Sequence, residues 1–153
     1  MTAKSKRRWR FPEKEFEFIY HRGPRFCVDA VICARSGVAL IRRAIPPDLG
    51  KWNFPGGTLR RGETLDAAVK RFARDEAGLK VRIEKCLGPI EYFRKGRIPH
   101  MVSIAFLARP VAGKLAGGWQ GKEAAFFRIA PKNMVAEQRK FLIRNNLISS
   151  KTH

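Results

Sequence analysis

Asp75 and Glu76 stand where the local physics of the chain argues against acidic residues. From Gly56 to Leu79 the sequence reads Gly-Gly-Thr-Leu-Arg-Arg-Gly-Glu-Thr-Leu-Asp-Ala-Ala-Val-Lys-Arg-Phe-Ala-Arg-Asp-Glu-Ala-Gly-Leu. Its period predicts a helix from about Thr64 to Ala77 that stops at Gly78. In the last turn of such a helix the backbone carbonyls are unpaired, and the helix dipole disfavours negative charge by roughly 0.3–1 kcal/mol for each residue. Glu76 also continues the apolar stripe of Leu65, Ala68, Val69, Phe72 and Ala73, the face a helix of this pattern buries. A divalent cation that gathers carboxylate and carbonyl oxygens would offset both costs. The alternative is ordinary pairing, Asp75 with Arg71 one turn earlier and Glu76 with one of the many basic neighbours.

The elements around this helix follow from pattern. Phe11 to His21 opens with a Pro and reads as a short helix, with a strand over Glu15 to Tyr20 as the alternative, and Gly23-Pro24 ends it. Arg25 to Ala34 and Val38 to Arg43 read as two adjacent strands turned by Ser36-Gly37. Asp29 interrupts the first of them, so it points to solvent, the commoner case, or lies at a site. Pro46 to Gly50 is a loop and Lys51 to Phe54 a short extended piece, followed by a tight Gly56-Gly57 turn. Beyond Gly78, Leu79 to Ile83, Leu87 to Phe93, Met101 to Leu107 and Ala124 to Ile129 read as strands, Gly113 to Gly121 as a Gly-rich loop, and Pro131 to Leu147 as a closing helix. Strands and helices interleave without regular βαβ alternation, which predicts an α/β chain of the α+β kind, a mixed sheet sandwiched between helices.

Composition bounds the function. The length of 153 residues suits one domain over 11–153 behind a basic tail at 1–10. A hydrophobic content of 44% excludes wholesale disorder. No apolar run approaches the 18 or so residues that span a bilayer, and the basic start lacks the apolar segment of a secretory signal. Cys27, Cys33 and Cys86 form no metal-ligand spacing and cannot all pair, which fits a reduced, cytoplasmic compartment. With 32 Lys plus Arg against 13 Asp plus Glu, the net charge of +19 attracts polyanions, so contact with a polyanion through the basic surface is an open expectation, as is a homodimer. The charge is spread along the chain, however, and only Lys4, Lys6, Arg7, Arg8 and Arg10 cluster.

The central motif resembles the signature of the Nudix hydrolases: Gly, five residues, Glu, seven residues, Arg-Glu, a hydrophobic residue, any residue, Glu-Glu, any residue, Gly and a hydrophobic residue. Gly57, Glu63, Arg71, Glu76, Gly78 and Leu79 match at full spacing, and Asp75 stands for the first Glu of the pair. Phe72 departs from it, occupying the place where most members carry a metal-binding Glu. The lead-in from Arg43 to Gly57 and the segment Glu123-Ala-Ala-Phe-Phe are also similar to the family's. Among its branches, the missing Glu, the Phe-Pro-Glu-x-x-Phe start and the Val-Asp-Ala-Val-Ile strand resemble the GDP-mannose mannosyl hydrolases.

That resemblance implies hydrolysis of a nucleoside diphosphate sugar at the sugar's anomeric carbon, with one Mg²⁺ on the diphosphate and Mn²⁺ as an alternative ion. It implies Asp29 and Arg43 as substrate contacts, the Gly56 carbonyl and Glu76 as metal ligands with Asp75 beside them, and Arg71 as an orienting residue. The branch has an Arg just after its Gly-Gly, where this chain has Thr58; Arg60 and Arg61 are the nearby candidates for phosphate contacts. The branch also uses a Gln-His pair late in the chain. Here Gln120 reaches the metal only after a one-residue shift, and no His stands in that loop, leaving Glu123 and His100 as candidate bases. Glu123 is favoured for its place in the late loop, with a surface salt bridge as its alternative and a capping or solvent-facing role as that of His100. Two further functions stay open: attack at phosphorus on a nucleotide sugar or dinucleotide, and a Nudix domain that binds nucleotide or RNA with weakened catalysis.

Overall fold

The computed structural model describes residues 12–96, 98–118 and 123–149. The basic tail, Arg97, and the stretch 119–122 with Gln120 lie outside the described residues. In chain order the elements are α1 (Glu13–Arg22), β1 (Arg25–Ala34), β2 (Gly37–Arg42), β3 (Trp52–Asn53), β4 (Gly56–Thr58), α2 (Leu65–Ala77), β5 (Leu79–Phe93), β6 (His100–Gly113), β7 (Glu123–Phe127) and α3 (Ala136–Arg144). The seven strands form one sheet in the order β3-β2-β1-β6-β5, with β4 paired to β1 and β7 to β2. β1 and β6 run parallel and the other ladders are antiparallel, so the sheet is mixed as expected.

The two faces of β1 define two cores. Val28, Ala30 and Ile32 pack with Ala68, Val69, Phe72 and Ala73 of α2 on one side, while Val31 and Cys33 pack with Phe141 and Leu142 of α3 on the other. This is the period-two alternation of a strand covered on both faces. The sheet is therefore held between α2 and α3. α1 buries none of its residues.

α2 ends where its sequence predicts. The Thr64 hydroxyl accepts from the Ala67 N–H at 3.1 Å and caps the start, and Gly78 takes the left-handed conformation with φ 69° at the end. Three expectations need correction. Gly56 and Gly57 are not merely a turn but belong to β4, whose ladder sets Gly56 opposite Asp29 and Gly57 opposite Val28. The two short strands after Gly78 are one strand, β5, interrupted by irregularities at 80/81, 83/85 and 86/88 that period counting reads as a break. The closing helix begins only at Ala136, because the residues before it are taken by β3: the Trp52 N–H donates to the Asn133 carbonyl and the Val135 N–H to the Trp52 carbonyl, both at 2.9 Å. No helix among the described residues is long and apolar enough to cross a membrane.

Candidate active site

The last turn of α2 points at β4. Glu76 is buried, 7% exposed, and its Oε2 accepts from the Gly56 N–H at 2.9 Å. Burial pushes its carboxyl up to about 7, against the Gly56 hydrogen bond and the charge of Arg43, which favour the anion; the nearby Asp29 adds to the rise. Of the two readings left open for Glu76, a cation site and pairing with a basic neighbour, no direct ion pair is observed among the described residues, the charge of Arg43 acting on it from further off. Asp75 pairs with Arg74 at 3.0 Å rather than with Arg71.

Arg71 is committed elsewhere. Its Nε and Nη2 donate to the two oxygens of Glu63 at 2.7 and 2.8 Å, and Nη2 also reaches the Thr58 carbonyl at 3.2 Å. Glu63 in turn accepts the Arg60 N–H at 3.2 Å. This forked pair, almost out of solvent, ties the loop between β4 and α2 to the helix, and the Arg71 hydrogen bond holds the Glu63 carboxyl below its ordinary range. Arg71 thus braces the β4–α2 loop through Glu63, a partner the sequence reading did not assign although the motif contains it.

Phe72 fills the place next to this clamp. Its ring is 8% exposed, with the Arg71 guanidinium 4.2 Å above it, and a Cβ at Gly57 would come within 2.9 Å of the ring edge. The ring and a glycine without side chain therefore fit each other, and a carboxylate at this position would face an apolar core.

Arg43 is held by the loop that follows it. Its Nε donates to the Pro47 carbonyl at 2.5 Å and Nη2 to the Pro46 carbonyl at 3.4 Å, while the Gly50 N–H closes the loop onto the Arg43 carbonyl at 2.8 Å. Arg94, just beyond β5, fixes the same loop by donating to Asp48 at 3.1 Å and to Glu137 of α3 at 2.8 Å. The guanidinium so placed acts on Glu76, and partial burial lowers its own proton affinity.

Asp29 corrects the commoner expectation for a strand aspartate. It does not point to solvent: it is 6% exposed, and its Oδ2 accepts from the Tyr92 hydroxyl at 2.8 Å. Desolvation raises its carboxyl to about 6, against the Tyr92 hydrogen bond, the nearby Ser103 hydroxyl, which makes no hydrogen bond of normal geometry, and the charge of Arg25. A Cβ at Gly56 would overlap Asp29 Oδ1 and the Val28 carbonyl, so only glycine lets β4 lie this close to β1. Sequence reasoning missed Tyr92 and Gln138. The signal for Gln138 was present: it is the polar member of the stripe Met134, Val135, Gln138, Phe141, Leu142.

The structure thus brings Glu76, Gly56, Asp29 and Arg43 together, with Arg71 bracing them from behind. Arg60 is half-buried on the β4–α2 loop beside Arg71, and Arg61 is exposed next to it. Glu123 and His100 make their described contacts elsewhere. Glu123, the first residue of β7, is exposed and 3.5 Å from Arg42. His100 stacks on Phe93 with ring centres 4.6 Å apart and lies 3.4 Å from Glu91. Along β6 it is five residues, roughly 16 Å, from Ala105, the residue level with Asp29.

The donor set suits a hard cation. Among the described residues no group of three or more His, Cys, Asp or Glu side chains gathers, so a many-carboxylate cage is absent. One buried carboxylate at a helix C-terminus, anchored through a single oxygen and unmatched by a close ion pair, fits an ion of the Mg²⁺ kind, which takes one or two protein carboxylates and completes its shell with water and substrate phosphate.

The NUDIX domain family profile matches residues 23–146. An ADP-ribose pyrophosphatase of Methanocaldococcus jannaschii is 34% identical over 116 residues, covering 74% of this chain and 66% of that protein. The low-salt glycan biosynthesis protein Agl8 of Haloferax volcanii is 43% identical over 84 residues, covering 55% of this chain and 54% of its own length. The chain thus spans just under two thirds of the first relative and about half of the second. Among solved structures, a MutT protein from Methanosarcina mazei Go1 superposes with a TM-score of 0.70 at 21% identity, covering 80% of this chain and 94% of that one, a likeness of fold.

Proposed function

The chain belongs to the Nudix family, as the match over residues 23–146 shows, and on that premise we propose that it is a Mg²⁺-dependent hydrolase of a nucleoside diphosphate linked to a sugar, of the GDP-mannose kind. The observation that carries this reading is Glu76, buried at the end of α2, fixed by the Gly56 N–H and neighboured by Arg43 and Asp29 without a close counter-ion. The names of the two curated relatives support the substrate class, one acting on ADP-ribose and the other serving glycan synthesis.

In this reading Glu76 and the Gly56 carbonyl hold the cation, Mg²⁺ or Mn²⁺, with Asp75 at the rim. Bound there, the ion offsets the negative charge that builds on the departing nucleoside diphosphate. Arg43 offers its remaining donors to a phosphate oxygen, and Arg60 and Arg61 extend the positive rim along the path of the diphosphate. Arg71 acts from outside the substrate by keeping the Thr58–Glu63 loop, and with it β4, in register against α2. Phe72 leaves α2 with one carboxylate facing β4, which favours a one-ion site over a multi-metal one.

The similarity to an ADP-ribose pyrophosphatase favours a second reading, attack at phosphorus to give a nucleotide and a sugar phosphate. Hydrolysis of GDP-mannose and of ADP-ribose in ¹⁸O-labelled water separates the two. Label in free mannose is the expected result. Label found only in phosphate replaces the first reading with the second, and no turnover with Mg²⁺ or Mn²⁺ rejects both in favour of a binding domain.

A further inference from the structure

Phe72 removes one carboxylate from the α2 side of Gly56, and β1 supplies one on the other side. The ladder between β1 and β4 sets Asp29 opposite Gly56, and the side chain passes close over the glycine, with Oδ1 turned to it. The other oxygen is tied down by a relay whose direction is fixed. The Phe54 N–H can only donate, and it gives its proton to Gln138 Oε1 at 2.8 Å. The amide of Gln138 therefore presents its NH₂ to the Tyr92 oxygen at 3.0 Å, and the single proton of Tyr92 is left for Asp29 Oδ2. Nothing in that relay neutralises the carboxylate. The guanidinium of Arg25, which acts on Asp29 from a distance, spends its Nε on the Thr58 hydroxyl at 2.6 Å. A separate observation marks the same place: the Ser103 hydroxyl, 1% exposed, interacts with the Asp29 carboxylate yet meets the geometry of a full hydrogen bond with no acceptor among the described residues. Buried hydroxyls are paired with protein or ordered water in all but a few cases.

We propose that Asp29 is the second carboxylate of the cation site, facing the ion across Gly56 from Glu76, and that Tyr92 and Gln138 are positioning residues that hold it there. The proposal rests on the reading of Glu76 as a cation ligand. It gives the site the two carboxylates that an ion of this kind uses at most, from two different elements of the fold, where the family signature would place both on one helix. Ser103 completes the pocket as a donor or acceptor for water on the ion.

The test is Mn²⁺ binding to the chelator-stripped full chain, read from the electron paramagnetic resonance signal of free Mn²⁺, with metal-free thermal denaturation to check folding. Glu76→Gln and Asp29→Asn should each weaken Mn²⁺ by about 10–100-fold, the range for loss of a ligand or its support. Tyr92→Phe keeps the buried ring and removes only the proton donor; it should weaken Mn²⁺ by about tenfold, the low end of that range, and have no further effect in the Asp29→Asn background. If Asp29→Asn binds Mn²⁺ as tightly as the unaltered chain while Glu76→Gln does not, the proposal is overturned and the Glu76 reading stands. If Glu76→Gln also leaves binding unchanged, or the unaltered chain binds no Mn²⁺, both fall. Should Asp29→Asn fail to fold, Tyr92→Phe decides, and unaltered Mn²⁺ affinity in that variant rejects the proposal.

Discussion

Two regions of this molecule carry acidic residues beside basic ones, and they differ in every physical respect that matters. At the Gly56 pocket, Glu76 and Asp29 are 7% and 6% exposed and bound to neutral donors, a backbone N–H and a tyrosine hydroxyl. At the outer rim, Glu123 faces Arg42 across 3.5 Å with its side chain 62% exposed, and His100 lies 3.4 Å from the open carboxylate of Glu91. The rim pairs are solvated and interchangeable with water. The pocket carboxyls are acids the fold has buried without a close ion pair among the described residues, and that difference is why the pocket, not the rim, carries the proposed chemistry.

The difference should be measurable first in stability against pH. The carboxyls of Asp29 and Glu76 are raised to about 6 and about 7 in the folded chain, so folding favours their protonated forms. Their stabilising contribution is fully present below the unfolded values near 4 and is lost as pH rises through 6 and 7. Urea denaturation of the metal-free chain should show a loss of about 2–4 kcal/mol between pH 5 and pH 8. Glu76→Gln should flatten most of that slope; an unchanged slope would place the burial cost elsewhere.

Next in size is Gly56→Ala. The new Cβ would overlap Asp29 Oδ1 and a backbone carbonyl of β1, and β4 must move away from β1 to admit it. A loss of about 1–3 kcal/mol in urea, the usual cost of overpacking, is expected, accompanied by loss of Mn²⁺ binding. The smallest effect belongs to the rim. Glu123→Gln removes an exposed ion pair worth at most about 1 kcal/mol and should leave the urea midpoint within error. It should also leave turnover within a few-fold, and a large loss of turnover would instead support Glu123 as the base.

Much of this pocket was legible from residue order because its signals are local. The capping Thr64, the stripe from Leu65 to Ala73 and the stop at Gly78 fix α2 through contacts within a few residues, and Glu76 stands out against them for the same reason. Asp29 was not legible in the same way. One charged residue in a strand reads as an outward-facing position, and only the long-range ladder with Gly56 and the approach of Tyr92, 63 residues away, give it a buried place. The start of α3 was misread for a similar cause: Pro131 to Val135 have a helical pattern, but β3 takes the backbone groups of Asn133 and Val135 first. Arg71 shows the intermediate case, where the motif contains both partners and only the folded loop reveals that Glu63, not Asp75, receives the guanidinium.

The most direct measurement of the central claim is Mg²⁺-dependent release of product from GDP-mannose and ADP-ribose by the unaltered chain, Glu76→Gln and Glu123→Gln side by side. Turnover that needs the metal, falls by about 100-fold or more in Glu76→Gln and persists in Glu123→Gln is the predicted result. Equal turnover in the unaltered chain and Glu76→Gln would contradict it.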